Sequence, residues 1–445
     1  MSRHFAGLAV FIGALAAFAA GAGQAAAADE QAAFVPLQSI VDQAEPGETI
    51  TLAPGVYEGP VKISKPLALR GEEGGKVSVV NRSDQPAVWI GADGVVLENL
   101  AVIDETVKES PAVLVNGDGA RLDQLTIRTG SDGIALRDVA GGTVSRTAVE
   151  YVPDNVPMAD RGNGIDLFNA QRVEIADNLI RNVHDGIYVE QSDDTVITGN
   201  RVELSRYGIH LMYTENTVIE NNEGDRNITG AMVMAARNVR VSGNTFTKQS
   251  ENVHSQGILL FDAHDSLFTG NVVEGNRVGF YVEESANNRI EGNLVKNNFI
   301  GLWLLNAGDN VLTSNVLIGN VTDAQASGSD SADIDGNYWD SFRGLDLNGD
   351  GKSELGYAIS PFFQELVGKK PQFQLFFGSP GMMFLENLYQ ADRDSWTTDR
   401  TPLMAPPDIG GEQQQPAGGV WTGITGLALS IGTMMIIWFA RRRIP

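Results

Sequence analysis

Apolar and polar positions alternate along this chain, and the alternation repeats. Gly164, Gly186, Gly208, Gly230, Gly257, Gly279 and Gly301 are separated by 22, 22, 22, 27, 22 and 22 residues. One residue after each stands Ile165, Ile187, Ile209, Ala231, Ile258, Phe280 or Leu302, and three after stands Leu167, Val189, Leu211, Val233, Leu260, Val282 or Leu304. Eleven after comes a third apolar column, Ile175, Ile197, Ile219, Val241, Phe268, Ile290 and Leu312. Alternate residues of a strand share a face, so these columns predict short strands with one buried side. One turn of about 22 residues cannot bury that side alone, whereas a stack of turns can. The prediction is an all-β parallel β-helix, a solenoid of about a dozen rungs. Asn178, Asn200, Asn222, Asn244, Asn271, Asn293 and Asn315 follow the glycines at a constant 14 residues. They are expected to form an internal amide ladder at a corner. The residue before each is mostly Gly, Asn or Asp, as a left-handed corner favours.

The outward positions carry the candidate chemistry. Two residues after each glycine stand Asp166, Tyr188, His210, Met232, Leu259, Tyr281 and Trp303; four after stand Phe168, Glu190, Met212, Met234, Phe261, Glu283 and Leu305. Rungs lie about 4.8 Å apart and alternate residues about 6.7 Å apart. His210, Met212, Met232 and Met234 thus fall on two neighbouring rungs, and one imidazole with three thioethers suits Cu(I). Extra residues in 151–161 and 248–256 fall at the corner leading into this sheet, and the second insertion brings His254 beside the rung of Met232. The competing reading is an apolar face covered by another segment or a partner, with methionine as a gap-filler.

The ends of the chain differ from its middle. Residues 1–28 have the basic start, apolar run and Ala26-Ala27-Ala28 site of an export signal. Residues 36–44 read as an amphipathic helix capping a solenoid over 29–335. Residues 420–440 are uncharged and precede Arg441-Arg442-Arg443, which predicts a transmembrane segment after a linker at 409–419, with a cytoplasmic tail at 441–445. Such an ending also fits a sorting tag removed after export. The chain would then act in the periplasm, tethered to the inner membrane. A net charge of -24 over 445 residues disfavours nucleic acid. With no cysteine, a soft-metal site rests on His and Met.

Residues 336–408 carry a different signature. Asp346, Asn348 and Asp350 space oxygen ligands as a Ca²⁺ loop does, with Lys352 and Glu354 following and Asp340 or Glu354 needed to complete the shell, since Tyr357 occupies the place of a bidentate Glu. An Asx-turn loop without metal is the alternative. Further on, Pro361, Phe362, Phe363, Phe376, Phe377, Met383 and Leu388 lie in short apolar helices that predict a docking surface.

The stretch from Pro36 through Tyr57 resembles the opening of pectin-lyase-like right-handed parallel β-helix proteins. Gly208-Ile209-His210-Leu211-Met212-Tyr213, the asparagine ladder, Asn337-Tyr338-Trp339-Asp340, Asp346-Leu347-Asn348-Gly349-Asp350-Gly351 and Thr401-Pro402-Leu403-Met404 together resemble the NosD family. That resemblance, over residues 35 to 407, implies a periplasmic maturation factor for the copper centres of nitrous oxide reductase. It also implies an ABC transporter partner of the NosF and NosY type and a copper lipoprotein of the NosL type. The expectation is a non-enzymatic metallochaperone for Cu(I), with Ca²⁺ as a second ion. The alternatives are a carbohydrate-active enzyme using Asp166 with Glu190, or Glu283 with Asp262, and a structural adaptor for the transporter.

Overall fold

A computed structural model describes residues 35–249, 255–329, 331–376, 379–389 and 396–407. The segments read as signal peptide, linker, transmembrane span and tail lie outside the described residues, as do His254 and Phe377. Among the described residues no helix is long and apolar enough to cross a membrane.

The body is a parallel β-solenoid of about 14 turns. Its three sheets hold 14, 12 and 13 strands, and each strand pairs in parallel with the equivalent strand one turn along. The three apolar columns read from the sequence are all buried in one continuous core. Each rung presents an incomplete apolar face that only the next rung covers, so the core is the stack itself.

The structure supplies the reason for the glycine column. A Cβ on Gly186 would lie 2.5 Å from the carbonyl oxygen of Gly208, and one on Gly208 would lie 2.4 Å from that of Gly230. Backbones approach too closely there for any side chain. The asparagines form the expected ladder: Asn178 Nδ2 donates to Asn200 Oδ1 at 2.9 Å, Asn200 to Asn222 at 2.9 Å, and the chain continues to Asn337. Asp177, Gly199, Asn221, Gly243, Gly270, Gly292 and Ser314, each preceding a ladder residue, all have positive φ. A second ladder, Gln249–Asn276–Asn298–Asn320, runs along another corner five residues further on.

Both ends of the stack are closed. At the start, helix Leu37–Gln43 places Leu37 and Val41 over the open core. Gln38 completes the edge as a strand would: its Oε1 accepts the Lys62 N–H at 2.7 Å and its Nε2 donates to the Lys62 carbonyl at 3.2 Å. Pairing the edge in this way removes a template for aggregation. At the far end, buried Trp339 stacks on Tyr357, and Asp399 takes the last bonds of the ladder.

Asp323, on the last strand of the 12-stranded sheet, makes stability depend on pH. Burial pushes its carboxyl up to about 6, against a hydrogen bond from Ser341 and with help from the Asp340 charge. The folded state therefore holds this proton more tightly than the unfolded chain, and the associated stability is present below about pH 4 and lost as pH rises through about 6. Asp323→Asn should show a melting temperature that gains on wild type between about pH 4 and pH 7. A difference that stays constant across that range refutes this assignment.

Candidate metal centre

The outward face of the 12-stranded sheet brings four of the predicted residues, His210, Met212, Met232 and Met234, together in register. His210 pairs with Met232 and Met212 with Met234 on adjacent strands Tyr207–Met212 and Thr229–Met234. Tyr188 and Glu190 lie one rung before them, Leu259 and Phe261 one rung after. The three methionines are half-buried, whereas His210 is only 6% exposed.

His210 is held on one side by charge. Its Nδ1 lies 2.9 Å from Asp185 Oδ2. Arg206 donates to the same carboxylate twice, from Nε to Oδ1 at 2.8 Å and from Nη2 to Oδ2 at 2.7 Å. Burial pushes the Asp185 carboxyl up, but the His210 and Arg206 hydrogen bonds outweigh it and hold the group below the usual carboxylate range. An ionised carboxylate only accepts, so Nδ1 carries the proton and donates. The rings of Tyr188 and Tyr207 stand 5.0 and 4.8 Å from the imidazole. Nε2 is buried and has no hydrogen-bond partner among the described residues. A buried polar atom left in this state is rare and costly.

Tyr188 links the imidazole side of the patch to its thioethers. Its hydroxyl donates to Glu190 Oε2 at 2.8 Å and lies 3.3 Å from the Met212 sulfur. Burial, together with the Glu190 carboxylate, pushes this hydroxyl well above the ordinary tyrosine range, so it stays a neutral donor. Glu190 places a negative charge at the rim.

The sequence columns missed Asp185 and Arg206. A signal was present: the residues just before the glycines are Asn163, Asp185, Tyr207, Thr229, Gln256, Val278 and Ile300, and that column holds a carboxylate once.

The proposed acid pairs are engaged separately. Asp166 accepts from Arg137 and from Asn163, Glu190 from Tyr188, and Asp262 pairs with His264. Nearby Asp132 has its carboxyl raised to about 6 by burial and by the Asp166 charge.

The Asp346–Glu354 loop is closed on itself. Asp346 accepts the N–H groups of Gly349 and Gly351, Asn348 that of Asp350, Asp350 that of Lys352, and Glu354 that of Leu347. Asp340 is engaged at the N–H of Gly319, 2.6 Å away. Among the described residues no three His, Asp or Glu side chains group as metal ligands.

The apolar segment forms helices Phe362–Lys369 and Pro380–Leu388 around a short turn at Pro371–Phe376. Ser379 caps the second helix by accepting the Met382 N–H, with Pro380 at its first turn. Phe363 is buried, Pro361 and Phe362 are half-buried, and Phe376 and Leu388 are exposed; Met383 lies within the second helix. Leu375, Phe384 and Leu385 enlarge the exposed apolar surface. Met382 is buried, as expected of a packing residue.

Residues 146–348 match the family described as "Periplasmic copper-binding protein (NosD)". The chain is 27% identical over 430 residues to the "Probable ABC transporter binding protein NosD" of Stutzerimonas stutzeri, covering 88% of this chain and 94% of that protein. Among solved structures, the Family 28 exopolygalacturonase of Yersinia enterocolitica matches with a TM-score of 0.53 at 11% identity, over 67% of this chain and 74% of that one. A PL6 alginate lyase in complex with a trisaccharide matches with a TM-score of 0.50 at 13% identity, over 68% of this chain and 81% of that one. At these identities the two enzymes share the fold with this chain, and a fold hosts many chemistries. The repeat core of this chain is thus similar to the NosD family model, and the similarity continues through nearly the full length of one NosD relative.

Proposed function

We propose that this protein is a non-enzymatic periplasmic carrier of Cu(I) for assembly of the copper centres of nitrous oxide reductase. The cargo ion sits on His210, Met212, Met232 and Met234, and His254 serves entry or exit. The observation that carries this reading is the buried Nε2 of His210, without a hydrogen-bond partner among the described residues, on a ring whose other nitrogen is tied to Asp185 and which has Met232 on the next rung and Met212 on its own strand. Neutral sulfur and imidazole donors match a soft monocation. The description of the matching family as copper-binding supports the cargo, and the name of the Stutzerimonas relative supports an ABC transporter partner, which we take to be of the NosF and NosY type. A NosL-type lipoprotein is the natural donor. The exposed apolar helices near Phe376 and Leu388 give the transporter a surface to grip. The segment 420–440 tethers the chain to the inner membrane.

Anaerobic Cu(I) titration of the full chain tests the reading. Wild type should bind one ion on this face, and affinity should fall in acid, because protons compete for the ligating nitrogen. The triple variant His210→Ala/Met212→Ala/Met232→Ala should lose that ion while still folding, with a lowered melting temperature because the buried imidazole is gone. Unchanged Cu(I) affinity in the triple variant returns the patch to a covered apolar face.

A further inference from the structure

Resting on the copper reading above, we infer that Asp185 is a positioning residue: held by Arg206, it fixes the proton of His210 on Nδ1 and so keeps Nε2 as a bare lone pair facing away from the carboxylate. Three observations support this. Asp185 is 1% exposed and receives both donors of the Arg206 fork, so its carboxylate is fixed in place. Arg206 in turn lies 4.3 Å over the Tyr207 ring, which borders His210 on its other side. Both oxygens of Asp185 face the permanently charged Arg206 fork, which favours the ionised carboxylate, and Oδ2 also accepts from His210 Nδ1.

The arrangement does two things for a metal ligand. It sets the tautomer and ring orientation before the ion arrives, as carboxylates behind ligating histidines do. It also pairs the Asp185 charge with that of Arg206, so that the ion meets imidazole and thioether donors, with the Glu190 carboxylate at the rim. A histidine side chain without such a partner favours the proton on Nε2, the atom the ion needs. Replacing the aspartate of a Ser-His-Asp triad by asparagine leaves the geometry intact but gives the wrong tautomer, and the same chemistry applies here.

The test uses the full chain labelled with ¹⁵N-histidine, the His210 signals being assigned by their loss in His210→Gln. In the metal-free wild type at neutral pH, the ¹⁵N shifts should report a protonated Nδ1 and an unprotonated Nε2. In Asp185→Asn the Nε2–H form should grow, and Cu(I) affinity should fall by about 10- to 100-fold. Asp123→Asn is the structural control. That carboxylate is equally buried and equally held by arginines, Arg146 and Arg121, but faces no histidine. It should leave both the tautomer and the affinity unchanged. A wild type with its proton on Nε2 overturns the inference even if Asp185→Asn does not fold. Cu(I) binding that survives Asp185→Asn undiminished, with the Nδ1–H form retained, overturns it as well. If the tautomer responds to Asp185→Asn while wild type fails to bind Cu(I), the positioning role stands and the copper reading falls.

Discussion

Val233→Asp is expected to yield no soluble, folded protein. Val233 is fully buried, and its partners on the adjacent rungs are Leu211 and Leu260. An ionised carboxylate there has no cation to pair with in the apolar core, a burden of several kcal/mol. Protonating it instead at pH 7 costs about 4 kcal/mol, given an ordinary aspartate near 3.9, and the neutral acid still lacks hydrogen-bond partners. Either route consumes a large part of a stability on the order of 5–15 kcal/mol. A solenoid is vulnerable because each rung is stabilised mainly by its two neighbours, so one broken rung exposes the apolar faces on both sides. The measurement is soluble yield together with a thermal melt by circular dichroism. A soluble Val233→Asp protein melting close to wild type contradicts the burial of this column.

The second large effect is expected at Asp399. This carboxylate, wholly buried, ends the asparagine ladder. Its oxygens accept from the N–H groups of Gly336 (3.0 Å) and Asn337 (2.9 Å), from Asn337 Nδ2 (3.1 Å) and from Trp339 Nε1 (2.9 Å). Asp399→Ala leaves four buried donors unpaired at about 1–3 kcal/mol each, less whatever water recovers. The last rungs should open first, so protease cleavage near residue 335 should appear well below the main unfolding transition. Asp399→Asn keeps one acceptor oxygen and should fall between alanine and wild type. An Asp399→Ala protein with wild-type melting and no new cleavage shows that the ladder needs no terminal acceptor.

The repeat was readable because its period is fixed by contacts each rung makes with the next. The Gly186–Gly208 approach, the Asn200–Asn222 bond and the Ile187–Ile209 pairing all recur one turn apart. The register of the His/Met patch followed from the same counting, and the structure agrees with it. Three things were less legible. Asp185 and Arg206 act across rungs from positions just before the glycines, where periodicity carries no polarity rule. The second ladder at Asn276, Asn298 and Asn320 has the same 22-residue spacing, but its first position is Gln249, which breaks the run of asparagines. The burial of Phe363 beside exposed Phe376 depends on how short helices fold back on the last rung, which no period encodes.

The close approach of successive glycines also turns the molecule into a ruler. Five rung steps separate the strand of His210 from strand Thr322–Ser327, against which helix Phe362–Lys369 packs. At about 4.8 Å per step that sets roughly 24 Å between the His/Met patch and the exposed apolar helices. Because each rung touches mainly its neighbours, a 22-residue unit can be removed or duplicated without changing the local packing on either side. Length would then change in fixed increments while both ends kept their shape. Reach between the two surfaces is therefore quantised, and selection can adjust it only by whole rungs.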